Sequence, residues 1–279
     1  MQTSLIKDIP PSKDLQEYVR KYQVFRFLFD ASTSPPIKFH APRPEHCITF
    51  YIRDAQKFSY HNSLIMSTYP PCVINGMYTV PIYRYGGSDF CAIKVVLQPS
   101  VLFQLIQLPL KEITNNFINA EEIWGNKIRL VCEQLNNLND LSEILDVIEA
   151  FFRQVIRTKT LENHPIDKVS KHLLHIENGA SLDWLASQSC LSLRQFIRKF
   201  EERTGISAKT FQRIIRFDKA FRMKNVNPHL DWLSIALRCD YHDYQHLAKD
   251  FKEFTCLTPP AFYKLEQTSP ERSFGLVEA

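Results

Sequence analysis

Glycine is scarce in this chain, with seven among 279 residues. Gly86-Gly87 is the sole adjacent pair, so neither a glycine-rich phosphate loop nor a Gly-x-Ser-x-Gly nucleophile elbow can be built. Seven cysteines occur without a C-x-x-C pair, which removes the common zinc and dithiol motifs and reads as reduced thiols. Of these, Cys47, Cys91 and Cys132 lie in apolar runs and are expected in the core. The best hydrophobic run, Val95 to Leu110, is interrupted by Gln98, Pro99, Ser100, Gln104 and Gln107 and is too short to span a bilayer. Lys7, Asp8, Lys13, Asp14 and Arg20 make the opening Met1 to Tyr22 unlike an export signal, and a cytoplasmic protein is expected.

Catalytic constellations are missing as well. The adjacent acids Glu121-Glu122 and Glu201-Glu202 fall on helical stretches, where neighbours diverge instead of pairing for acid–base work. His40, His46 and His61 lie in a strand-rich region without a His-x-His pair, so no metal site is expected. The reading is no enzyme and no cofactor.

What the chain does contain is a repeat. Leu185-Ala186, Phe200, Thr204-Gly205-Ile206-Ser207 and Phe211 are followed about fifty residues later by Ile235-Ala236, Phe251, Thr255-Cys256-Leu257-Thr258 and Phe262. In the first copy Ser181 caps a short helix, the turn falls at Cys190-Leu191, and Ser192 with Gln195 forms a capping box for a second helix. Leu193, Phe196, Ile197 and Phe200 recur at helical spacing and are expected inside, leaving Arg194, Gln195 and Arg198 outside. In the second copy Asp231 and Asp243 are the caps and Asp240-Tyr241-His242 the turn. Tyr244, Leu247, Ala248 and Phe251 are expected inside, with Gln245, His246 and Lys249 outside. Ser207 opens a longer connecting helix through about Lys224, stopped by Asn227-Pro228. Thr258-Pro259 opens a helix after the second copy, and Pro165-Ile166 one before the first, ended by Asn178-Gly179. Seven helices are expected between Pro165 and about Glu266. Trp184 and Trp232 are expected in the core.

Those motifs, with Arg216 and Ala220 between the copies, make residues 165–266 resemble the DNA-binding domain of AraC/XylS-type transcriptional regulators. The resemblance implies two helix-turn-helix units, at about 181–203 and 231–254, joined by a linker helix and binding double-stranded DNA. It also implies activation through contact with RNA polymerase, although repression fits the residues equally. This chain departs from the family where glycine is usual, at Cys190, Asp240 and Cys256, and has Ala208 where proline is usual.

Net charge is +4 overall, and the halves 1–160 and 161–279 each hold 17 basic and 15 acidic residues. Local counts differ. Positions 184–222 carry nine basic and three acidic residues, whereas 229–255 carry three basic and five acidic ones. The first unit is therefore expected to anchor on phosphate and the second to add weaker contacts. Arginine suits guanine and glutamine suits adenine in the major groove, so the candidate DNA-contacting residues are Ser192, Arg194, Gln195, Arg198, Lys199, His242, Gln245, His246 and Lys249.

The first 160 residues read as strands at Gln23–Phe29, His46–Ile52, Leu64–Met66, Cys72–Ile74, Met77–Tyr85 and Phe90–Leu97, with Asn75-Gly76 as a type I′ hairpin signal. Helices follow from Pro99, over Glu121–Asn137 and over Leu141–Arg157. This order resembles the cupin-like sensor domains found ahead of AraC-type heads. The fold expected is α+β: a sensor or dimerisation domain at 1–160, a hinge at Thr158–His164, the all-α domain at 165–266 and a loose tail at 267–279. The resemblance implies a small-molecule effector or a homodimer through 121–157. The alternative is a regulator with one working head, the second serving protein interaction.

Overall fold

The computed structural model describes residues 4–30, 32–63, 65–159, 162, 164–176 and 179–278. Ten strands come first: β1 (Leu5–Ile9), β2 (Val19–Leu28), β3 (Lys38–His40), β4 (Cys47–Tyr51), β5 (Lys57–Tyr60), β6 (Ser67–Thr68), β7 (Cys72–Asn75), β8 (Ile82–Tyr85), β9 (Asp89–Leu97) and β10 (Phe117–Asn119). Their antiparallel pairs are nested, β2 with β9, β3 with β8, β4 with β7 and β5 with β6, which is the jelly-roll arrangement of cupins. The result is a six-stranded sheet, β1-β2-β9-β4-β7-β10, facing a four-stranded one, β3-β8-β5-β6.

Side-chain alternation gives the large sheet two different faces. Cys91, Ile93 and Val95 of β9, with Ile48 and Phe50 of β4, point to an aliphatic core completed by helices α1 (Val101–Ile106), α2 (Ala120–Trp124), α3 (Asn126–Asn136) and α4 (Leu141–Arg157). Phe27, Tyr51, Phe90 and Ala92 point the other way, toward the small sheet. The apolar stripes of α3 and α4, including Ile128, Leu135, Ile144, Ile148 and Phe152, are thus spent on the chain's own core, and Leu130 is the large apolar side chain on these two helices left in solvent.

Seven helices follow: α5 (Pro165–Leu173), α6 (Leu182–Gln188), α7 (Leu193–Thr204), α8 (Ala208–Val226), α9 (Trp232–Arg238), α10 (Tyr244–Thr255) and α11 (Pro259–Glu266). The architecture is α+β, as the sequence implies. The helical part shares contacts with the β-rich part. Phe39 packs edge-on against Phe262, with ring centroids 5.8 Å apart. Arg203 is buried, gripping Asp167 with two 2.7 Å hydrogen bonds and lying over the Phe103 ring, while Gln104 donates to the same carboxylate. Gly205, at φ +85°, caps α7, and a Cβ there would meet the Leu110 carbonyl oxygen at 2.9 Å. Glycine is required for both reasons.

Several local expectations fail. Four strands, β1, β3, β5 and β10, escape the sequence reading, and the expected strand over 77–85 forms only from Ile82. Of the expected Leu64–Met66, Leu64 lies outside the described residues, and the strand forms instead at Ser67–Thr68. Asn75-Gly76 is no hairpin: β7 pairs with β4 and β10, and Gly76 is needed because a Cβ would fall on the Ile113 carbonyl. Gly125, at φ +55°, splits the helix expected over 121–137 into α2 and α3. The helix expected from Pro99 begins at Val101, since Ser100 is left-handed at φ +66°. Helix α5 stops at Leu173, ahead of the expected Asn178, which lies outside the described residues, as do Thr160, Leu161 and Asn163 of the expected hinge.

The tail is not loose. Pro270–Phe274 forms a 3-10 turn, Phe274 stacks on Phe27 at 5.8 Å, and Glu278 is buried against Arg43 at 2.8 Å. Among the described residues no helix is long and apolar enough to cross a membrane.

Candidate nucleic-acid interface

Four side-chain caps fix the two helix pairs where the sequence places them. Ser181 accepts from the Trp184 amide at 3.2 Å, and Asp231 from the Ser234 amide at 2.9 Å. Ser192 and Gln195 form the expected capping box, with the Gln195 amide donating to Ser192 Oγ at 3.3 Å and the Ser192 amide to Gln195 Oε1 at 3.1 Å. Asp243 accepts from the His246 amide at 2.8 Å. Ser192 and Asp243 are 51 positions apart, as are Phe200 and Phe251, so α7 and α10 are in one register. Between them α8 buries Phe211, Ile214, Phe217 and Phe221 and, at 19 residues, spans about 28 Å.

Arg194, Gln195 and Arg198 are exposed on α7, and Gln245, His246 and Lys249 on α10, with His242 exposed just before it. Among the described residues no carboxylate pairs with Arg194 or Arg198. Lys199 is half-buried and paired with Glu202 at 3.4 Å. Gln195 has already committed its carbonyl oxygen, and Ser192 its hydroxyl, to the cap. A groove of about 640 Å³ lies between the heads, bordered by Lys209 and Gln212 on one side and His242, His246 and Lys249 on the other.

Two expectations about facing are corrected. Leu193 and Ile197 are 39% and 38% exposed, and Tyr244 is 36% exposed, because the neighbouring helices cover a narrower stripe than the apolar residues occupy. Trp184 also stands out at 41%, whereas Trp232 packs against Phe251.

The charge imbalance between the units is largely consumed inside the fold. Arg213 donates to Asp250 at 2.7 Å and Glu253 at 2.6 Å, and Arg216 donates to the Asp240 carbonyl and lies over the Tyr241 ring. Lys219 faces Asp240 at 3.8 Å, and Arg222 pairs with Asp218. Thus Arg213, Arg216 and Lys219 of α8 face the acids Asp240, Asp250 and Glu253 of the second unit. Hydrogen bonds from Arg213 hold the Glu253 carboxyl below its ordinary range.

Cys190, Asp240 and Cys256, the three positions where glycine is usual in the family, have φ of +52°, +60° and +62°. The backbone keeps the left-handed geometry, and the side chains there bear its strain.

Of metal-ligand groups, His242, Asp243 and His246 bring their ligand atoms within 4.8 Å of one another. The group faces solvent at a helix N-terminus, where the backbone dipole disfavours a cation. His40, His46 and His61 do not converge: His46 contacts the Thr204 carbonyl at 3.0 Å and His61 the Tyr83 hydroxyl at 3.2 Å.

A match to a known domain family agrees with this geometry. Residues 185–264 match the helix-turn-helix domain family. Among solved structures, the chain is similar to ToxT from Vibrio cholerae, at 14% identity over 88% of this chain and 97% of that one, with a TM-score of 0.47. It is also similar to the DNA-binding domain of AdpA, determined with a target DNA, at 22% identity over 38% of this chain and 95% of that one, TM-score 0.35. No curated protein matches the chain. Residues 185–264, with their two capped helix pairs in one register, are a helix-turn-helix domain of the AraC type.

Proposed function

We propose that the chain is a sequence-specific transcription regulator whose two heads enter successive major grooves on one face of double-stranded DNA. One observation carries this: α7 and α10 begin at equivalent caps, Ser192 and Asp243, and the two helix pairs to which they belong are linked by one continuous helix, α8, of about 28 Å. That span suits two half-sites one helical turn apart. Arg194 and Arg198 serve guanine edges or phosphates in the first groove, and Gln245, His246 and Lys249 serve the second. Gln195 and Ser192 act through the cap that sets the pitch of α7. With Arg213, Arg216 and Lys219 of α8 engaged in the second unit, the advantage of the first head rests on Arg194 and Arg198. Arg198→Ala weakens binding more than Lys249→Ala; equal losses would remove the asymmetry.

The β-rich part is the regulatory half of this reading. Between its sheets lies a cavity walled by Phe25, Phe27, Phe29 and Phe90, with Lys38, Arg84 and Lys94 on its lining. Arg84 Nε is buried without a hydrogen-bond partner among the described residues, so an effector with an apolar body and an acid group fits the chemistry. The free room is about 70 Å³, below the several hundred cubic ångströms a ligand usually occupies. Pro270, Glu271 and Glu278 of the tail line it as well, so such an effector enters by displacing the tail. Contact with RNA polymerase, giving activation, belongs to the same reading. Dimerisation through 121–157 has little left to use, since Leu130 stands alone. Titrating carboxylates of increasing chain length against the full chain, with thermal unfolding as readout, tests the effector; no shift with any of them contradicts it.

A further inference from the structure

The face of α7 that points to solvent is not simply basic. Leu193 and Ile197 are four residues apart, more than a third exposed, and interleaved with Arg194 and Arg198. With Glu201 these four line one shallow depression. Single exposed leucines are ordinary, but this pair recurs. The 51-residue register puts Tyr244 opposite Leu193 and Ala248 opposite Ile197, just as it puts Gln245 opposite Arg194 and Lys249 opposite Arg198. Tyr244 is also exposed. Both heads therefore carry the same alternation: apolar, polar, a gap of two, apolar, cationic.

We propose that the apolar members of this alternation determine specificity by reading thymine methyl groups, with Leu193 and Ile197 doing so in the first half-site and Tyr244 and Ala248 in the second. The inference rests on the DNA-binding reading and adds to it what the bases must be. A major-groove surface offers one apolar feature, the C5 methyl of thymine. Two arginines on the same face, without a carboxylate partner among the described residues, draw it against the anionic duplex, which is the charge complementarity that a protein partner or a second copy of this +4 chain would lack. Arginine then selects guanine beside the thymine, so the half-sites mix guanine and thymine instead of being purely G·C.

The test removes one methyl at a time. Once the full chain has selected its preferred duplex, each dT is replaced singly by dU and the affinity measured by fluorescence anisotropy. Losing a buried methyl is worth about fourfold in affinity, and that loss is expected at one or two thymines of the first half-site. In Leu193→Ala or Ile197→Ala, both surface changes, affinity for the dT duplex falls and the dT:dU ratio at the matching position drops to one. Arg198→Ala lowers affinity for both duplexes and keeps the ratio. A ratio of one at every thymine in the unmodified chain overturns the proposal, as does a ratio unchanged by both apolar variants. Failure to select any duplex removes the DNA-binding reading itself.

Discussion

Arg213 of α8 donates from Nη2 to Asp250 Oδ1 of α10 at 2.7 Å, and this contact ties the connecting helix to the second helix of the second unit. Asp250 is buried and also accepts from the Tyr241 hydroxyl at 3.1 Å. Uncompensated burial of a charge is expensive. Arg213→Ala should therefore destabilise the helical part by about 2–3 kcal/mol, read by urea unfolding. In a double-mutant cycle with Asp250→Asn, the two losses should be strongly non-additive; additive losses would mean the pair does not couple the helices.

The strained turns offer a gain. Cys190 and Cys256 sit at positive φ on the surface, where a side chain costs about 1–2 kcal/mol and glycine restores part of it at some entropic expense. Cys190→Gly and Cys256→Gly should each stabilise by roughly 0.5–1 kcal/mol, seen as a higher Tm. A fall in Tm would show that the thiols make contacts worth more than the strain.

Acid should loosen the contact between the β-rich part and α7. Burial pushes the His46 pKa down to about 4, although its bond to the Thr204 carbonyl opposes this. The unfolded chain, with an ordinary imidazole, takes up the proton first. Stability from neutral His46 is thus full above about pH 6.5 and is lost as the pH falls toward 4. The span corresponds to about 3 kcal/mol. Unfolding followed from pH 7.5 to 4 should show this loss, and His46→Gln should flatten it; an unchanged slope in that variant would assign the loss elsewhere.

The buried tail is a further structural commitment. Glu278 contacts Arg43, and burial would raise its carboxyl, but Arg43 and Lys38 hold it down at about 2. Lys38 also meets Glu266 at 2.8 Å and Glu271 at 2.5 Å. Glu278→Gln should lower stability by about 2–3 kcal/mol at neutral pH, with the deficit shrinking as the pH falls from about 4.5 toward 2, because the unfolded carboxyl takes up its proton first. No deficit at neutral pH would mean the tail is dispensable.

The helical half was legible because its signals are local. Ser181, Ser192, Asp231 and Asp243 each bond an amide three residues away, and a cap is readable wherever the chain then turns. The β half is held by distant partners. Strand β3 is three residues paired with β8 some forty positions on, and β1 is the half-polar edge Leu5–Ile9, so neither has a periodic pattern long enough to read. The tail is harder still, since Lys38 and Glu271 are 233 positions apart. At the candidate interface, periodicity predicted that Leu193, Ile197 and Tyr244 are apolar members of a helical stripe, but not how wide a stripe the neighbouring helices would cover.

Selection of the preferred duplex by the full chain from a random pool tests the two-headed account most directly. The account predicts two half-sites whose centres lie about 10 base pairs apart on one face, with Arg198→Ala degrading the first and Lys249→Ala the second. Recovery of a single half-site would contradict it and leave the second head as a protein-interaction module.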